Sequence, residues 1–376
     1  MIYLDNSATT YPKPSTVSAA VTAAVRSSAN PGRSGHAPSL AAASSVYSAR
    51  TAAAEFFGCD NEERVIFTPG CTISLNMAIK GLLKKGDHAV VSSMEHNAVM
   101  RPLYKLTGEG ISFTKAEIVP CDNDKTVDSF RKAINGNTKM IICTHASNVW
   151  GLRMPVERLC ALAHAYGLLF VVDAAQSAGI AEVDMKNGYD AVCAAGHKGL
   201  YGPMGTGLLI LGEGILPDTI IEGGTGSSSA DLRQPDILPD RYESGTPDLS
   251  GIAGLKAGIE FVKKKGTDKI FAHELALIQY LYSRLDKLPG IKLYTPFPDP
   301  EFTLPLLSFN IEGLSSEEAA LRLSKAGIAV RAGLHCAPLA HESMGTAETG
   351  AVRISPSVFT TGADIDRLIF FIKKML

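Results

Sequence analysis

Leu168-Leu169-Phe170-Val171-Val172-Asp173-Ala174-Ala175-Gln176 is an apolar run that stops abruptly on a carboxylate. Consecutive apolar residues with no polar alternation read as a strand buried on both faces of a sheet. Similar runs stand on either side of it, at 65–68, 89–93, 140–144, 191–194 and 207–211. Helical patterns fall between or before them, among them 16–28, 39–57, 73–83 and 156–165. Buried strands divided by helices predict an α/β fold with a mostly parallel sheet.

Past Gly254 the rhythm changes. Two long helical stretches, 255–265 and 268–288, lead to shorter strand patterns at 291–294, 306–311, 328–331 and 351–355. Ser315-Ser316-Glu317-Glu318 opens a helix as a capping box, and 362–376 is an amphipathic closing helix. The expected organisation is a large lobe over 15–254 and a smaller α+β lobe built from 1–14 and 255–376. The Gly/Ser-rich stretch 223–229 reads as a mobile loop.

A net charge of −2 over 376 residues offers no attraction to nucleic acid or to an anionic membrane. No apolar run approaches the ~20 residues that span a bilayer, and the N-terminus has no targeting pattern. The seven cysteines are scattered, without a CxxC pair or a Cys/His cluster, so neither a disulfide framework nor a metal site is expected. The cytoplasm is the natural compartment.

Ligands of such sheets bind at the carboxyl ends of the strands, so the residues just after each run carry the interest. Pro69-Gly70-Cys71-Thr72 opens a helix and offers backbone N–H groups to an anion, although Thr72 could equally serve as a helix cap. His96, in Met94-Glu95-His96-Asn97, could stack on a flat ring or move protons, or be a plain half-exposed side chain. Asn148 lies in a polar turn after its strand. Asp173 could pair with a protonated ring nitrogen, and equally could cap a helix with Gln176. Lys198, in Gly196-His197-Lys198-Gly199, sits where partial desolvation would lower its pKa and ready it for a Schiff base. Cys336, in Gly333-Leu334-His335-Cys336-Ala337-Pro338, could be a reactive thiolate beside a histidine, against the commoner fate of a buried structural thiol. Arg353 lies inside a strand and needs an anionic partner, which a substrate carboxylate would supply.

Together these residues resemble the class V aminotransferase superfamily of fold type I pyridoxal-phosphate enzymes. Within it they resemble the second group of cysteine desulfurases, the branch that includes selenocysteine-lyase-like proteins. The most specific stretches are Gly196-His197-Lys198 with Tyr201-Gly202-Pro203, and Arg331-Ala332-Gly333-Leu334-His335-Cys336-Ala337. Tyr3-Leu4-Asp5-Asn6-Ser7-Ala8-Thr9-Thr10 and Asn30-Pro31-Gly32-Arg33-Ser34-Gly35-His36 extend the likeness towards the N-terminus. The resemblance implies pyridoxal 5'-phosphate held covalently on Lys198. It implies Asp173 on the ring nitrogen, Gln176 on the phenolic oxygen, His96 on the ring face, and Thr72, His197 and the Cys71 segment near the phosphate. Thr246 would reach the phosphate of a neighbouring subunit, which implies a homodimer. Asn148, Arg353, His36 and Arg331 would surround the substrate carboxylate, and Cys336 would take the sulfur for a protein acceptor. Three positions depart from the pattern: Ala195 stands where a hydroxyl residue is common, Cys71 where a small or hydroxyl residue is common, and Leu334 where a second histidine is common.

The expected reaction converts L-cysteine to L-alanine and leaves a persulfide on Cys336. Alternatives are a selenocysteine lyase, or another class V aminotransferase or lyase with no use for Cys336. A nicotinamide dehydrogenase is disfavoured because no G-x-G-x-x-G follows the first strand.

Overall fold

The computed structural model describes residues 1–31, 34–227 and 230–376. From the N-terminus come β1 (Ile2–Tyr3), α1 (Ser15–Ser27) and α2 (Ala37–Phe56). There follow β2 (Val65–Thr68), α3 (Cys71–Leu82), β3 (His88–Ser92), α4 (Asn97–Thr107), β4 (Ser112–Ala116), α5 (Asn123–Ala133) and β5 (Thr138–Thr144). Next are α6 (Val156–Ala165), β6 (Leu169–Asp173), β7 (Ala191–Ala195) and β8 (Gly207–Leu211). The remainder holds α7 (Leu249–Lys265), α8 (Thr267–Leu285), β9 (Ile291–Leu293), β10 (Leu307–Ile311), α9 (Ser316–Lys325), β11 (Ile328–Ala329), α10 (Pro338–Ser343), β12 (Val352–Ile354) and α11 (Gly362–Lys373).

The apolar runs form one seven-stranded sheet in the order β2-β8-β7-β6-β5-β3-β4. Only β8 runs against its neighbours, so the carboxyl ends of β2, β3, β5, β6 and β7 lie along one edge. Alternate residues of each strand feed different cores. Val90, Ile141, Phe170, Val172 and Val192 pack into one, and Ala89, Val91, Met140, Ile142, Val171 and Cys193 into the other. This double burial is why the strands carry no polar face. The fold class is therefore α/β with a largely parallel sheet, as read from the sequence.

A third core lies in the C-terminal part, where Leu4, Ile278, Leu307, Phe309, Ile354 and Leu368 meet around the antiparallel sheet β12-β10-β9. Leu4 reaches it because β1 pairs in parallel with β11. The residues just beyond turn back to the large sheet, where Thr10 donates its N–H to the His197 carbonyl at 3.1 Å. The change of rhythm at Gly254 falls inside α7, which packs against α1 and α2. Strand β4 was not singled out in the sequence because it is an edge strand whose residues are mostly exposed. Among the described residues no helix is long and apolar enough to cross a membrane.

Candidate active site

The turns after β2, β3, β5, β6 and β7 converge on a cavity of about 350 Å3. Of the residues expected there, Cys71, Thr72, His96, Asn148, Asp173, Gln176, His197 and Lys198 all line it.

Lys198 projects from the tight turn after β7. Gly202 donates its N–H to the Gly196 carbonyl at 2.7 Å, and Tyr201 to that of Lys198 at 2.8 Å. The flanking glycines are steric necessities: a Cβ on Gly196 would lie 2.1 Å from Thr206 Oγ1, and one on Gly199 2.4 Å from the Ala178 carbonyl. Burial lowers the pKa of the Lys198 amine, with Asp173 and Cys71 pulling the other way. The Asp173 carboxyl is pushed up by burial, opposed by the N–H of Ala175, 2.9 Å from its Oδ1, and by Lys198. Two buried groups of opposite charge thus face one cavity, each costly to ionise alone. The Cys71 thiol stands 3.5 Å from Asp173 Oδ1 as a donor, and its own pKa is driven well up by burial.

His96 caps α4, with its Nδ1 accepting from the Ala98 N–H at 3.0 Å. Burial and the surrounding cations push its pKa down to about 4, so the ring is neutral and its proton sits on Nε2. Burial, Lys198 and Lys13 likewise push His197 to about 4. The His197 Nδ1 is buried without a hydrogen-bond partner among the described residues, while its carbonyl is held by Thr9, Thr10 and Lys13.

Arg353 is 1% exposed, and its carboxylate partner is Asp5, with Nη2 2.7 Å from Asp5 Oδ1. Its Nη1 donates to the Asn148 carbonyl at 2.9 Å, and its Nε is buried without a partner among the described residues. Asn148 in turn donates to the His335 carbonyl at 2.8 Å.

Cys336 is exposed, unlike Cys71, Cys143, Cys160 and Cys193. The histidine beside it in sequence is not its partner: the His335 ring turns inward, with Nε2 3.0 Å from the Ala351 carbonyl, and stacks on His341. The nearby cation is Arg331, whose Nη2 lies 3.9 Å from Cys336 Sγ. Both His335 and Cys336 hold left-handed backbone, at φ 50° and 57°.

Arg331, Cys336 and Arg353 are not among the residues lining this cavity, and neither are His36 and Thr246. His36 is an exposed cap of α2 and does not line this cavity, and Gly32 and Arg33 of the same stretch lie outside the described residues. Thr246 lines an adjoining, more apolar cavity of about 330 Å3 that shares Pro69, Ile73 and Gly205 with the first. Of the 223–229 loop, Ser228 and Ser229 lie outside the described residues, whereas Ser227 donates to Asp240 at 2.5 Å. Among the described residues there is no cluster able to hold a metal ion.

Sequence reasoning gave no role to Asp5 or Glu95. Glu95 is fully buried behind His96, accepting from Ser92 Oγ at 2.5 Å and from the Thr144 N–H at 2.8 Å, and burial pushes its carboxyl up to about 8. An acid next to a candidate ring-stacking histidine and framed by buried strands was the available signal.

A phosphorylated pyridine aldehyde fits this donor set. The buried carboxylate suits a ring N–H and the desolvated lysine an aldehyde. His197, whose Nδ1 is unpartnered among the described residues, and the N-terminus of α3 line the same cavity and offer groups to a phosphate. The sequence profile of the family described as Aminotransferase class-V matches residues 2–368. The chain belongs to the class-V aminotransferase family. Class-V membership implies pyridoxal phosphate as cofactor and sets aside the dehydrogenase reading.

A class-V relative from Methanothermobacter thermautotrophicus, named "Probable cysteine desulfurase", is 33% identical over 98% of this chain and 92% of its own length. The apo structure of a cysteine desulfurase from Thermococcus onnurineus superposes with a TM-score of 0.92 at 31% identity, covering 100% of this chain and 94% of that one. A cysteine desulfurase from Escherichia coli, solved in an S-sulfonic acid form, gives 0.88 at 26% identity, over 99% of this chain and 94% of that one.

Proposed function

We propose that this chain is a pyridoxal-phosphate-dependent cysteine desulfurase that converts L-cysteine to L-alanine and stores the sulfur as a persulfide on Cys336. The observation that carries the reading is the buried Lys198–Asp173 pair in one cavity, with an exposed thiol on the loop hydrogen-bonded to the first turn of α4. The cysteine desulfurases among its relatives support it over a class-V enzyme with no use for Cys336.

Bound in the cavity, pyridoxal phosphate supplies an electron sink that acidifies the substrate Cα–H bond and activates the Cβ–S bond. Lys198 would carry the covalent link, Asp173 the ring nitrogen, Gln176 the phenolic oxygen, and neutral His96 the ring face. Thr72, the Cys71 turn and His197 would take the phosphate, with Thr246 contributed from a second copy in a homodimer. The lowered pKa of Lys198 keeps free amine available to accept the Cα proton. Arg353, Asn148 and Arg331 would orient the substrate carboxylate. The Cys336 thiolate attacks the substrate sulfur, with Arg331 as the donor beside it. An S–S bond forms, Cβ–S breaks, and the hydrogen lost from the two thiols ends on alanine. Cysteine plus one thiol becomes alanine plus one persulfide, with no external oxidant. The exposed persulfide would pass to a docking protein acceptor in the cytoplasm. In this reading residues 1–14 and 255–376 form the lobe that carries Cys336, and 15–254 the cofactor lobe.

The test measures alanine and sulfide together from cysteine, with mass spectrometry of Cys336. Lys198→Ala should show no borohydride-trappable adduct and no turnover. Cys336→Ala should keep the yellow cofactor and lose persulfide; unchanged cysteine turnover in that variant overturns the nucleophile. Selenocysteine turnover that survives in Cys336→Ala while cysteine turnover is lost would mark a selenocysteine lyase as well.

A further inference from the structure

Behind Lys198, on the side of α8, lies a third and much smaller space of about 20 Å3. Lys198 and Gln176 line both this chamber and the large cavity, and Glu274 of α8 lines the chamber alone. Glu274 is 1% exposed, and its Oε2 has no hydrogen-bond partner among the described residues. Tyr201, at φ 57°, accepts the Val358 N–H on its hydroxyl at 3.1 Å, which leaves the hydroxyl proton for Glu274. Burial drives the Glu274 carboxyl well above the usual range, which favours its neutral form. One oxygen serves Tyr201, and the other is without a partner among the described residues. An unmet polar atom in the interior is costly, so such atoms almost always have a partner. The chamber exceeds the roughly 10–15 Å3 that one water molecule requires, and Asn6, Gln176, Lys198, Glu274 and Ser355 bring polar side chains to its wall.

We propose that the chamber is a built water site in which one buried water bridges the Glu274 carboxyl to Lys198 and Gln176, making Glu274 a positioning residue for the cofactor-bearing lysine. The water site stands on the chamber alone; only the role of Lys198 rests on the desulfurase reading.

Three measurements test it. A high-resolution crystal structure of the cofactor-free protein should show one ordered water within hydrogen-bond distance of Glu274 Oε2; a dry chamber overturns the proposal. Infrared difference spectra of wild type against Glu274→Gln, also cofactor-free, should contain the carbonyl stretch of a neutral carboxylic acid. A carboxylate signature instead overturns it. In equilibrium binding of pyridoxal phosphate, Glu274→Leu, which fills the chamber with methyl groups, should weaken affinity about tenfold through the lost hydrogen bonds. Glu274→Gln, which keeps the water, should restore affinity to within about twofold. Equal affinity in wild type and a Leu variant of unchanged circular dichroism overturns the positioning role. If Cys336 forms no persulfide, the desulfurase reading fails and the first two measurements still decide the water site.

Discussion

The backbone N–H of Asn97 donates to the carbonyl of Cys336 at 2.8 Å. Asn97 is the first residue of α4, whose N–H has no partner inside the helix. The loop that carries Cys336 supplies that partner. The loop is therefore registered against the turn that presents His96, although the two lie 240 residues apart in the chain.

That loop stores strain. Cys336 sits at φ 57°, a region that costs a residue with a Cβ about 1–2 kcal/mol and glycine almost nothing. Cys336→Gly should therefore be more stable than Cys336→Ala by about 1 kcal/mol in urea denaturation, although both lack the thiol. Equal stability would mean the backbone relaxes at no cost.

Asp5 neutralises a guanidinium that is 1% exposed. Asp5→Asn leaves that charge unpaired and should cost about 2–4 kcal/mol, less than a fully buried pair because the Asp5 side chain is 19% exposed. A bound amino-acid carboxylate can replace the missing counter-ion. Cysteine or a non-reacting analogue should then raise the melting temperature of Asp5→Asn more than that of the wild type. The measurement is thermal unfolding with and without the amino acid.

Arg50 and Glu243 make a bidentate pair at 2.8 Å, 6% and 15% exposed, with the Arg50 guanidinium also over the Phe67 ring. Glu243 additionally accepts from the Phe67 N–H at 2.7 Å, which anchors the segment leading to Thr246. Glu243→Ala should lower unfolding free energy by about 3–5 kcal/mol, read by chemical denaturation. If Thr246 serves a second copy, the variant should also dissociate at higher protein concentration in sedimentation.

Glu95 has a carboxyl near 8 in the folded chain against 4.5 for an ordinary glutamate. Between those values the folded state binds the extra proton, so this group's contribution is complete below about 4.5 and is lost as pH rises through about 8. Glu95→Gln removes the titration. Its stability relative to wild type should therefore improve from pH 5 to pH 8 in denaturation of the cofactor-free protein. A constant difference across that range contradicts the assignment.

Much of the site was legible because each strand ends where its apolar run ends. Thr72, His96, Asn148, Asp173 and Lys198 follow those ends in sequence, and they meet in one cavity. Edge strand β4 was not legible, since an exposed strand has no apolar run to announce it. Neighbourhood in sequence misled at Cys336, because left-handed backbone at His335 and Cys336 sends the two side chains to opposite environments.

By itself the sequence determined the α/β class and the edge of the sheet whose strand ends line the cavity, and it singled out Lys198 and Cys336 as candidates. These follow from local period and from residues adjacent along the chain. Only the tertiary structure decided that Asp5 answers Arg353, that Arg331 and not His335 lies by the thiol, and that Glu274 lines a chamber behind Lys198. Each of those pairs joins distant segments or depends on a side chain's direction, and the packing that sets them leaves no trace in the order of residues.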